Sequence, residues 1–145
     1  MKEQIISFEL AKLAKDKGFN VESLYFYTKP NSKMYAIDEE IRAYEIKNTA
    51  RKLYECGKHA TLNRESVLLA PTQGLLQKWL REKHSIDVIV DKVDSIPSSG
   101  YYFNIYRENI EDEYGIIKFN TYEDALEKGL EEALKLIDNG DKNKV

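Results

Sequence analysis

Ile86-Asp87-Val88-Ile89-Val90-Asp91, the turn-rich Pro97-Ser98-Ser99-Gly100 and Tyr101-Tyr102-Phe103-Asn104-Ile105-Tyr106 form the stretch on which the fold turns. Ile86, Val88 and Val90 alternate with Asp87 and Asp91. That period of two belongs to a half-buried strand, because successive side chains leave a strand on opposite faces. The second segment is dense in residues that suit a pleated surface. Tyr114 to Phe119 supplies a third run, so three antiparallel strands in meander order are expected.

Helical periodicity brackets this sheet. Upstream, Pro71-Thr72 opens a helix in which Thr72 can cap and Leu75, Leu76, Trp79, Leu80 and the stem of Lys83 form one stripe. Downstream, Thr121-x-x-Asp124 resembles a capping box with Asp in place of Glu. Leu126, Leu130, Ala133, Leu134 and Ile137 mark the buried face of a closing helix, and Gly129 on that face would let helix and sheet approach closely.

At the N-terminus, Ile6, Leu10, Leu13 and Ala14 predict a helix over Ser7 to Lys17, with Ser7 as N-cap and Gly18 at the left-handed C-terminal position. Leu24 to Thr28 and Lys33 to Ile37 read as a hairpin around the turn residues Lys29 to Ser32. Arg42 to Ile46 followed by a helix capped at Asn48 or Thr49 is favoured over one long helix across Asp38 to Glu55. Lys58 to Leu69 reads as a long connection. The class is therefore α+β: N-terminal helix, β-hairpin, central helix, three-stranded antiparallel meander and C-terminal helix. A single domain over residues 1–137 with a polar tail at 138–145 is expected.

Composition narrows the function classes. The 145 residues are 42% hydrophobic and 32% charged, ordinary for a globular chain. The net charge of -3 gives no overall attraction to nucleic acid or anionic membrane, so any basic site must be local. One cysteine, Cys56, permits no internal disulfide, and no apolar N-terminal run reads as a signal or a span. A cytoplasmic setting is expected.

Candidate chemistry is sparse. Cys56 and His59 are three apart and His84 is the other histidine, so a zinc site would need an added carboxylate; a buried, unreactive thiol is the simpler reading. The acids at Asp38 to Glu40, Glu108 to Glu113 and Glu131-Glu132 fall in turns or on polar helix faces. No metal-protease, nucleophile-elbow or phosphate-loop motif occurs. Neither enzymatic activity nor a cofactor is expected. Arg42, Lys47, Arg51, Lys52 and Lys58 stand against only Glu45 and Glu55, with Tyr44, Tyr54 and His59 interleaved, whereas Glu108 to Asn139 holds ten acids and three lysines. The basic stretch, with Lys78, Arg81 and Lys83 of the central helix, could track a phosphate backbone and stack bases, which keeps nucleic-acid binding as the alternative function.

Ala70-Pro71-Thr72-Gln73-Gly74-Leu75-Leu76-Gln77-Lys78-Trp79-Leu80-Arg81-Glu82 resembles a motif recurring in small uncharacterised proteins of phages and prophages of Bacteroides-type bacteria. The opening Ile6 to Phe19 and the closing Thr121 to Ile137, with Tyr101-Tyr102-Phe103 upstream, are similar to the same family in kind. The resemblance implies kinship and carries no activity. Packing explains the apolar members of the string. It does not explain Gln73, Gln77, Lys78, Arg81 and Glu82, which are expected outward and as the first choice for a contact with a protein partner, host or viral.

Overall fold

A computed structural model describes residues 3–21, 23, 25–28, 33–36, 67–95, 98–108, 110–112 and 117–137. The chain divides into two compact units, Ile5–Thr72 and a second made of Met1–Gln4 with Gln73–Val145.

In the first unit, helix α1 spans Phe8–Asp16 and begins where expected. Ser7 takes an extended backbone and its Oγ accepts from the Leu10 N–H at 3.3 Å, satisfying one of the donors a helix start leaves open. It ends in a Schellman arrangement: Gly18 adopts φ +92, its N–H donates to Lys15 O, and the Phe19 N–H reaches back to Ala14 O. Leu10, Ala11, Ala14 and Phe19 are thereby buried. Strand β1 (Tyr25–Thr28) pairs antiparallel with β2 (Lys33–Ala36), the predicted hairpin, and on its other side with β3 (Val67–Leu69). α1 packs on β3. The Tyr27 hydroxyl donates to Ile6 O at 2.6 Å while its ring meets Phe8 edge-on at 5.6 Å, tying β1 to the segment that enters α1.

β3 corrects the reading of 58–69 as connection throughout. Its three residues show no period of their own; they are a strand because Phe26↔Leu69 and Thr28↔Val67 fall in register on an existing edge. The alternatives weighed for Asp38 to Glu55 lie outside the described residues, as do Cys56 and His59.

The second unit is helix α2 (Gln73–His84), strands β4 (Ile86–Ser95), β5 (Ser98–Arg107) and β6 (Ile110–Asp112), and helix α3 (Tyr122–Lys135). β5 is central, paired with β4 from Ile86↔Arg107 to Ser95↔Ser98 and with β6 from Ile105↔Asp112 to Arg107↔Ile110. Among the described residues the third strand is Ile110–Asp112, earlier than the expected 114–119; of that run only 117–119 is described, and Phe119 bridges to Tyr101. Thr121 caps α3, its Oγ1 accepting from the Asp124 N–H at 3.0 Å. α3 buries Ala125, Leu126, Leu130, Ala133 and Leu134 and packs on β4 and β5; α2 lies beside it, against α3 and β4, burying Leu76, Trp79 and Leu80.

Gly129 sets how close α3 comes. A Cβ built there would stand 2.6 Å from Val88 Cγ1 and 3.1 Å from Phe103 Cγ. No helix among the described residues is long and apolar enough to cross a membrane.

Two stability effects are expected. Gly129→Ala should lower the unfolding free energy in urea by about 1–3 kcal/mol despite the better helix propensity of alanine, and Val88→Ala combined with it should cost less than the two single changes together. Ser85 closes α2 at φ 54, a conformation that glycine reaches without a Cβ penalty. Ser85→Gly should therefore raise stability by about 0.5–1 kcal/mol, read from the urea midpoint at constant slope.

Candidate interaction surface

The β4–β5 register sorts side chains onto two faces. Val88 stands opposite Ile105 and Val90 opposite Phe103; this is the side on which Val88 and Phe103 meet Gly129 of α3. The residues between them point the other way. On the face turned away from α3, Asp87 is opposite Tyr106, Ile89 opposite Asn104, and Asp91 opposite Tyr102. Two carboxylate–phenol pairs thus bracket an apolar–amide pair, and paired residues of one ladder have side chains within reach of each other.

Ile89 is the irregular member. Strict alternation puts a polar residue at its position, yet an isoleucine stands there with 45% of its surface exposed, between two aspartates. The signal was present in the sequence as five residues, Asp87 to Asp91, whose apolar core is one residue too long for a strand with one wet face. The side chains of Asp91, Tyr102 and Asn104 make no hydrogen bond or ion pair with a described residue. Asp87 is approached by Arg81 Nη1 at 4.0 Å, both side chains about half exposed.

The polar residues of α2 divide. Gln73 is a correction: expected outward, it is 4% exposed, and its Nε2 donates to Glu123 O at 3.0 Å and Glu127 Oε2 at 2.9 Å. An amide suits this place because the start of α3 and a carboxylate both offer acceptors there. Gln77 is half-buried and also turned inward, its Nε2 donating to Val88 O at 2.6 Å. Lys78 and Arg81 are outward as expected, Lys78 within 3.8 Å of Glu82. The alternative basic set, Arg42, Lys47, Arg51, Lys52 and Lys58, lies outside the described residues. His84 packs its ring edge-on to Trp79 at 4.5 Å. No group of three or more potential metal ligands occurs among the described residues.

The chain matches no family model, no curated protein and no solved structure.

The exposed side of α3 carries charges that satisfy one another. Lys128 and Lys135 both reach Glu131 and Glu132 at 2.8–3.0 Å. The hydrogen bond from Lys135 holds the Glu131 carboxyl below its ordinary value, against desolvation and with help from Lys128. Desolvation pushes Glu132 up, but the bonds from Lys135 and Lys128 outweigh it and leave that carboxyl lowered as well. The two lysines are raised, Lys128 chiefly by Glu132 and Lys135 chiefly by Glu131. Lowered carboxyls stabilise the fold above the ordinary carboxylate range and cease to do so as pH falls through their lowered values. Raised lysines stabilise it below their ordinary value and cease as pH rises through the raised ones.

At pH 7 the double change Glu131→Gln with Glu132→Gln should reduce stability by about 0.5–1 kcal/mol, since these are partly solvated helix pairs. Urea titrations at falling pH should show that difference shrink below about pH 4, where the native carboxylates protonate too.

Proposed function

We propose that the chain is a non-enzymatic accessory protein that acts by binding another protein through the face of the β4–β5–β6 sheet turned away from α3. The observation that carries this reading is Ile89, an exposed branched apolar side chain centred between Asp87–Tyr106 and Asp91–Tyr102. Such a residue has no role in its own sheet, since the core is on the other side. Covering the 45% of it that is exposed would return roughly 1 kcal/mol. The flanking tyrosines have the composition favoured where one surface meets another, a broad ring with a polar tip. Half-buried polar surroundings then set orientation.

The string from Pro71 to Glu82 supports a phage or prophage origin, and the single cysteine supports a cytoplasmic setting. Two of the five α2 residues first considered for partner contact, Gln73 and Gln77, are occupied inside the unit, which favours the sheet over α2 as the proposed surface. Nucleic-acid binding gains nothing at this face: Asp87 and Asp91 would stand against phosphates.

A photo-crosslinking amino acid at position 89, introduced into the full chain in cells, should yield one dominant protein adduct. The same probe at the exposed position 12 of α1 should yield none. Equal labelling from both positions, or none from position 89, would sink the proposal.

A further inference from the structure

The outer edge of β4 carries a charge order that is complementary to itself. In an antiparallel strand the backbone N–H and C=O of successive residues point alternately toward one neighbour and toward the opposite side. Tyr101 of β5 exchanges both its backbone bonds with Phe119, at 2.9 and 2.7 Å, so the odd-numbered residues of β5 turn away from β4. Their counterparts across the ladder, Val88, Val90, Lys92 and Asp94, therefore turn away from β5. The bond that Val88 O accepts from Gln77 Nε2 agrees with this and occupies the edge at Val88. Further along, among the described residues, Val90, Lys92 and Asp94 have no hydrogen bond or ion pair outside the β4–β5 ladder except one with each other. That is the contact of Lys92 Nζ with Asp94 Oδ1 at 3.2 Å, with side chains 56% and 72% exposed.

A row of like charges on such an edge repels a second copy. A plus and a minus two residues apart do the reverse, because a strand turned end for end sets each opposite its complement. Two copies joined antiparallel about a two-fold axis bring outward-turned residues opposite one another. Centring the axis on Lys92 or on Asp94 opposes like charges, and centring it on Val90 or Asp91 needs the Val88 position that Gln77 holds. Centring it on Val93 sets Lys92 of each copy opposite Asp94 of the other. It also sets Val93 against Val93 on the face turned away from α3. We infer that the chain pairs with a second copy of itself along the outer edge of β4 in this register. Lys92 and Asp94 then exchange backbone bonds in both directions, and their side chains alternate in sign around the axis, which favours directly opposed pairs. This pairing goes beyond the docking reading and does not depend on it.

Sedimentation equilibrium of the full chain at low salt should show a reversible dimer. Lys92→Asp and Asp94→Lys should each weaken it about ten-fold, since each sets like charges opposite one another. An equimolar mixture of the two variants should associate as tightly as the unaltered chain. Both side chains are exposed, and native thermal unfolding of each variant is checked first. For the register, Val93→Cys in a Cys56→Ser background should close a disulfide under mild oxidation, because a non-hydrogen-bonded pair brings its Cα atoms to about 4.5 Å. Asp91→Cys in the same background should not, since its two copies stand about 13 Å apart along the strands. A chain that stays monomeric at every concentration, or single charge variants that dimerise as tightly as the unaltered chain, overturns the inference. Equal crosslinking from positions 91 and 93 overturns it as well.

Discussion

The close approach of α3 to the sheet at Gly129 is the constraint from which the second unit takes its shape. With no side chain at that point, the helix backbone settles against Val88 and Phe103, and the leucines on either side, Leu126 and Leu130, sink to the same depth. A helix held so near excludes water from one face of β4 and β5 along much of its length. The same contact leaves the other face to be occupied by something else or by solvent. The exposed position of Ile89 is thus a consequence of which side Gly129 chose.

Polar residues do the fine alignment. Gln73 reaches the backbone of α3 and the carboxylate of Glu127, and Gln77 reaches a carbonyl of β4, an outer strand of the sheet. A glutamine that satisfies a strand-edge carbonyl also discourages a foreign strand from pairing there. These bonds give a packing reason for two glutamines that look, in the linear string, as if they were free to face a partner. The charges of the last two turns of α3 are likewise spent on each other, Glu131 and Glu132 on Lys128 and Lys135.

On the sheet face turned away from α3, Asp91, Tyr102 and Asn104 have no described partner. An acid, a phenol and an amide can each remain in water at no cost, so this face does not endanger the fold. It is its placement around Ile89 that gives it a direction and a spacing.

Sequence by itself determined α1, α2 and α3, the β1–β2 hairpin and the β4–β5 pair, because each is written in short-range terms. Ser7 and Thr121 cap through their own neighbours, Gly18 supplies a positive φ, and the runs at 86–90 and 101–106 alternate over a few residues. It also singled out Gly129. What it could not determine was anything that needed two distant segments at once. β3 exists only because β1 offers an edge to Val67–Leu69, and Ile110–Asp112 is a strand because it falls in register on β5. Gln73 is buried because α3 brings Glu127 to it across fifty-four positions of chain. The Asp–Tyr pairs likewise became pairs only when β4 and β5 closed in the register that sets Asp91 opposite Tyr102, since a slip of one residue would have turned every one of these side chains to the other face.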